Sequence, residues 1–245
     1  TSSCSFCKLF NLSFEKIKEI RIKLNLSQEV FSKILGWSKK SIVRYENSDS
    51  VPQGEYLNTY MILNENPYYI VKLLERQKNN FTEEEYYKIL SILPFSKVYK
   101  TVNTILYLLK NNKLCETSLM KHLFAVDFYN CKENKEAITN LKYAHLLYGP
   151  VVDNRNILYN FLIKNDYIKI EINDISTNFT TDKDFDKKLF TKEELNSMKL
   201  IKYKFKEYSA SELSDWSHSF KGYIDTKNGE IIDYKYAKYL DIDNI

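Results

Sequence analysis

Lys39, Lys40, Ser41, Val43 and Arg44 stand within ten residues, SKKSIVRYEN, from Ser38 to Asn47. Lysine and arginine ammonium and guanidinium groups bond phosphate oxygens, and both can donate to O6 and N7 of guanine. A valine between them could touch a thymine methyl. That chemistry is double-stranded DNA recognition. The same residues on a short surface helix could equally be a solvated basic face. The cysteines offer a second chemistry. Of Cys4, Cys7, Cys115 and Cys131, only Cys4 and Cys7 have metal-knuckle spacing. A tetrahedral zinc site needs four ligands, so this pair is either two reduced thiols or the remaining half of a finger. No cofactor is expected, and zinc only if the other half is present. His122, His145 and His218 form no i,i+4 metal pair. Five glycines in 245 residues argue against a phosphate-cradling loop. Glu193 and Glu194 sit at an expected helix start, where the helix dipole accounts for them. An enzyme is not expected.

The basic decapeptide needs a scaffold. FEKIKEIRIKL, from Phe14 to Leu24, spaces Ile17, Ile20 and Leu24 as a helix does. Ser27 is placed to cap QEVFSKIL, in which Val30, Phe31, Ile34 and Leu35 form one apolar stripe. Gly36 suits a left-handed helix end, and Ser38 can cap the next helix. Two short helices joined by a tight turn make a helix-turn-helix. On a helical wheel Ile42 and Tyr45 lie about 60° apart and face inward, leaving Lys39, Lys40, Val43 and Arg44 on the other side.

Composition agrees. The chain is 44% hydrophobic and 15% aromatic, so it is globular and long enough for one large or two small cores. The first 80 residues hold 12 of the 36 basic and 8 of the 32 acidic residues, which leaves 24 of each beyond. All of the net +4 therefore lies in the first third, which lends some support to an anionic partner there. No stretch approaches the 18 uncharged apolar residues of a membrane span. No basic run followed by an apolar run opens the chain, so no signal peptide is expected and the location expected is the cytoplasm.

YLNTYMILNENPYYIVKLLERQ continues as helix with a break near Pro67, its Tyr56, Tyr60 and Leu63 stripe belonging to a core or a dimer contact. Thr82 and Glu85 form a capping box for EEEYYKILSIL, which Pro94 ends. Beyond Phe95 helices dominate: VYKTVNTILYLLKNN, ETSLMKHLFAVDFYNCKEN, AITNLKYAHLLYGP and VVDNRNILYNFLIKND. YIKIEI alternates like a short strand, and FTTDKDFDKKLF is its partner strand or a loop. Thr191 and Glu194 cap a further helix, and SASELSDWSHS is a short one. Tyr148, Gly149 and Pro150 read locally as helix end, cap and stop, and His218 as a helix-end residue.

Two resemblances add to this reading. IRIKLNLSQEVFSKILGWSKKSIVRYEN resembles the phage-repressor (XRE-type) helix-turn-helix, and antitoxins of the MqsA kind in particular. Ile20, Arg21, Leu26, Ser27, Gln28, Gly36, Ile42, Arg44, Tyr45, Glu46 and Asn47 carry the match. It implies DNA contacts at Gln28, Lys39, Lys40 and Arg44, and a structural pair between Arg21 and Glu46. Gln28, at a helix start, would meet a phosphate or brace the recognition helix. The family's glycine after YEN is Ser48 here, and the zinc-finger half is missing apart from CSFC. AITNLKYAHLLYGPVVDN and SELSDWSHSFKGYIDTKNGEIIDYKYAKYL resemble the SocA-like antitoxin domain, also called Panacea. The marks are YGPV at Tyr148–Val151, Glu212, Leu213, Ser214, Ser217 and His218, and Ile232, Tyr234, Tyr236 and Ala237. Tyr223 stands where that family often has Trp.

The expected fold is mainly α: a helix-turn-helix domain over 1–80, a linker helix over 81–94, and a mostly helical SocA-like domain with a small β element over 95–245. The resemblances imply an antitoxin that neutralises a protein toxin and binds its own operator DNA, with no membrane partner and a possible homodimer. The alternatives are a transcriptional regulator without a toxin, phage-borne or not, and an adaptor that delivers a toxin to a protease.

Overall fold

The computed structural model describes residues 13–47, 50–94, 96–172 and 176–243. Cys4, Cys7 and Ser48 lie outside them. The chain divides into two compact units, Thr1–Ser96 and Lys97–Ile245.

The described residues of the first unit form helices and no strand. It contains α1 (Phe14–Lys23), α2 (Gln28–Leu35), α3 (Lys39–Glu46), α4 (Glu55–Glu65), α5 (Tyr69–Arg76) and α6 (Glu83–Ile92). Serines open the first three: the Ser13, Ser27 and Ser38 hydroxyls accept from the backbone N–H of Lys16, Val30 and Ser41, each satisfying a donor the helix leaves bare. Gly36 ends α2 at φ +69°. The Gly36 N–H bonds the Lys33 carbonyl and the Trp37 N–H bonds that of Ser32, the two bonds of a Schellman turn. Ile17, Ile20, Leu24, Phe31, Ile34, Ile42, Tyr60, Leu63, Ile70 and Leu74 fill the core. Of the stripe, Tyr60 is fully buried against Phe31, Trp37 and Tyr45 and Leu63 is buried, whereas Tyr56 is exposed. The Thr82–Glu85 capping box forms. Residues 81–94, expected as a linker, are packed into this unit. Tyr86, Ile89 and Leu90 are buried, and the Ile92 carbonyl accepts from Asn25.

The second unit is built around α8 (Glu116–Asn134), buried at every position from Ser118 to Phe128. A helix buried on every side must be enclosed by other elements. Among the helices α10 (Lys192–Lys204) and α11 (Ala210–His218) pack against it, and the unit also contains α7 (Ser96–Leu109), α9 (Arg155–Lys164) and the single turn α12 (Lys221–Ile224). Lys202 of α10 donates to the Tyr107 and Lys110 carbonyls, satisfying the end of α7. Three short strands, β1 (Leu114–Cys115), β4 (Lys169–Ile172) and β5 (Thr177–Thr180), make an antiparallel sheet ordered β1-β5-β4. YIKIEI therefore supplies a strand, and its partner is TNFT. The DKDFDKKLF stretch runs on into a 3-10 turn at Lys187–Leu189.

One expectation fails. LKYAHLLYGP is not the end of a helix. Residues 143–146 (β2) and 149–152 (β3) form a hairpin pairing Tyr143 with Val152 and Leu146 with Gly149. Tyr148, Gly149 and Pro150 are turn and strand rather than helix end, cap and stop. The cause is non-local. GEII, from Gly229 to Ile232, lies along the free side of β2, with bonds of 2.8 Å from the His145 N–H to the Glu230 carbonyl and from the Ile232 N–H to the Tyr143 carbonyl. Backbone pairing with a segment over 80 residues away overrides the local helical spacing.

Candidate nucleic-acid interface and the pinned hairpin

In α3 the inner face is fixed by Ile42, fully buried, and by Tyr45, whose ring packs on Tyr56 and Tyr60. Lys39, Lys40 and Arg44 are exposed, and Ser41 and Val43 are half-buried at the margin. The Lys39 ammonium lies 3.6 Å from the Glu29 carboxylate, an exposed pair worth little and open to exchange for a phosphate. The Ser41 hydroxyl is held 2.9 Å from that of Ser38, so its contribution is to the start of the helix. The arrangement presents three cations on one side of a rigidly seated helix, with one aliphatic side chain between them.

The seat is an ion pair. Arg21 donates through Nε and Nη2 to the two carboxylate oxygens of Glu46 at 2.6 and 2.8 Å, and through Nη1 to the Leu26 carbonyl at 2.7 Å. The hydrogen bond to Glu46 holds the Arg21 guanidinium above its ordinary pKa. Gln28 donates to the same carboxylate at 2.9 Å. Of the two roles open to Gln28, bracing is the one its side chain performs here. Glu46 has 1% of its side chain exposed, so its charge depends on these donors.

In the second unit the family-motif residues gather at the hairpin. Three side chains donate to alternate carbonyls of the turn: Tyr223 to Leu146 at 2.9 Å, Ser214 to Tyr148 at 3.0 Å and Lys121 to Pro150 at 3.1 Å. Gly149 is at φ +92°, and a Cβ there would stand 2.1 Å from the Ser217 hydroxyl and 2.9 Å from the Lys121 ammonium. Only glycine fits so close an approach. His218 ends α11 and stacks on Tyr223, which stacks in turn on His145 at 3.7 Å. Leu147 and Tyr148, at the tip, remain exposed beside a cleft walled by Met120, Leu146 and Val151.

Three ionisable residues of α8 are buried, and of these the sequence reading named only His122, as a histidine without a metal-pair partner. Lys121 has the Pro150 carbonyl, and burial lowers its pKa to about 7. Burial lowers the pKa of His122 to about 4, and its Nδ1 lies 2.8 Å from the Ser118 carbonyl. Asp127 accepts from the Thr139 N–H at 2.7 Å, the Thr139 hydroxyl, and the hydroxyls of Tyr143 at 2.8 Å and Tyr234 at 3.2 Å. Burial raises its pKa against these donors. The signal in the sequence was a charged residue on a helix with no polar face. Lys121 and Asp127 hold loops to the core, and His122 bonds within its own helix.

A helix-turn-helix with an exposed basic recognition helix, followed by a second, mainly helical unit, defines the class. Residues 17–59 match the helix-turn-helix family model, and residues 119–223 match the family described as antitoxin SocA-like, Panacea domain. The first match falls within the first compact unit and the second within the second. No curated protein and no solved structure matches it. Among the described residues no helix is long and apolar enough to cross a membrane.

Proposed function

We propose that the chain is an antitoxin that holds a cognate protein toxin through its second unit and binds its own operator DNA through α3. The observation that carries this reading is the match of 119–223 to the antitoxin family, in a chain whose other unit turns Lys39, Lys40 and Arg44 outward. The surplus of positive charge in the first third favours DNA there. The balanced charge beyond it favours a toxin contact made by apolar surface, with little electrostatic steering.

The test has two arms. In the first, Arg44→Ala weakens a specific operator by about 1–3 kcal/mol if it reads a base, and weakens all sequences alike if it meets only phosphate. A folded Lys39→Ala/Lys40→Ala/Arg44→Ala variant that still shifts promoter DNA normally rejects the interface. In the second, the chain is co-expressed with toxic proteins encoded beside it. Growth rescue with recovery of a complex supports neutralisation. Rescue with disappearance of the toxin indicates delivery to a protease. No rescue by the abundant, folded chain rejects the antitoxin reading.

A further inference from the structure

Strand β4 is the outer strand of its sheet, bonded to β5 on one side and to no strand among the described residues on the other. All four of its residues are exposed. Ile170 is paired with Phe179, which is buried, so Ile170 and Ile172 continue the core-facing side of the sheet past its last strand. They are left 36% and 78% exposed. Lys169 and Glu171 point to the opposite side, where they make exposed ion pairs with Asp182 and Lys113. Charges alone would be the ordinary way to protect a sheet edge, but two exposed isoleucines on the same strand work against protection.

The sequence of this edge, IKIEI from Ile168 to Ile172, is complementary to itself in one antiparallel register. A two-fold axis through Ile170 sets Lys169 opposite Glu171 on both sides of the axis. It also sets Ile170 opposite Ile170 and Ile168 opposite Ile172. An axis through Glu171 places like charges face to face. An axis between Ile170 and Glu171 would oppose residues of different faces, which antiparallel pairing does not allow. Opposed charges and apolar pairs across neighbouring strands are attractive, and like charges are repulsive, so the first register is favoured.

We propose that β4 pairs with β4 of a second copy of this chain, with Ile170 on the two-fold axis. The two three-stranded sheets then become one of six strands, and the isoleucines that overhang the core cover one another. A closed two-fold contact of this kind leaves no further edge to propagate on that side. The proposal is independent of both DNA and toxin.

Sedimentation of the full chain over a concentration series provides the test, using Lys169→Glu and Glu171→Lys separately and mixed. Each reversal alone places like charges at both cross-strand positions and should weaken self-association about tenfold or more. Mixed, the two variants restore opposite charges at both positions and should associate as the wild type does. The mixture is the decisive arm, because the ion pairs to Asp182 and Lys113 stay broken in it, so recovery cannot come from folding. A wild type that stays monomeric up to its solubility limit overturns the proposal, as does association indifferent to both reversals or a mixture no stronger than its components. If the wild type is monomeric and the reversals impair toxin rescue instead, the edge belongs to the toxin.

Discussion

Helices α3 and α8 treat charge in opposite ways. The recognition helix buries Ile42 and Tyr45 and turns Lys39, Lys40 and Arg44 into water, where a charged group costs the fold almost nothing. The central helix is enclosed on every side and takes Lys121, His122 and Asp127 inside with it. A buried charge is tolerable only with partners, and each of these three is tied to a backbone carbonyl or to a set of donors. Charge on α3 is available to a ligand, whereas charge on α8 reports how the hairpin and its neighbouring loops are held. Glu46 stands between the two cases, a buried carboxylate at the end of the exposed helix, fixed by Arg21 and Gln28.

The largest effect should come from α8. Asp127→Ala strands the Thr139 N–H, the Thr139 hydroxyl and the Tyr143 hydroxyl in a site closed to water. At about 1–3 kcal/mol per unsatisfied donor, less the desolvation that burial of the carboxylate had cost, the loss should be about 4 kcal/mol. Chemical denaturation of the full chain measures it. A loss under about 1 kcal/mol would show that the site rehydrates and that the carboxylate is not a structural anchor.

Glu46→Ala should cost about 3 kcal/mol in the first unit, where it leaves Arg21 with one carbonyl. The figure is set below that for Asp127 because 12% of the Arg21 side chain reaches solvent and can hydrate. Equal melting temperatures for wild type and variant would remove the pair from the account of how α3 is seated.

The contrast between the helices also explains what could be read in advance. Serine caps at 27 and 38, capping boxes at Thr82 and Thr191, and glycine at 36 are local chemistry. The structure realises each of them. The basic face of α3 was legible for the same reason, since an amphipathic helix displays its division in 3.6-residue spacing. The hairpin was not legible. Nothing within Tyr143–Val152 announces that Gly229–Ile232 pairs beside it, or that Lys121, Ser214 and Tyr223 hold its carbonyls. Tyr223 stands where the resembled family often has Trp, and its hydroxyl supplies one of the three bonds to the turn.

The smallest effect is a pH dependence. His122 has a folded-state pKa near 4, below the ordinary value of 6.5, because burial disfavours the imidazolium. Between those values the unfolded chain binds a proton that the folded chain does not, so stability is full above pH 6.5 and declines as the pH falls towards 4. At pH 5 the decline from this residue should be about 2 kcal/mol relative to pH 7. Asp127 acts in the opposite sense, since its raised folded pKa makes the folded state take up a proton before the unfolded one does. The total slope therefore mixes these two residues with Lys121, whose folded-state pKa of about 7 falls in the same range, and His122→Leu isolates the histidine. The variant loses the bond to the Ser118 carbonyl and its edge contact with Phe205, and so is less stable at pH 7. It should nevertheless lose less stability than the wild type between pH 7 and pH 5, by about 2 kcal/mol. Parallel denaturation midpoints for the two proteins across that range would mean that His122 is protonated inside the fold without penalty, and that α8 tolerates charge as α3 does.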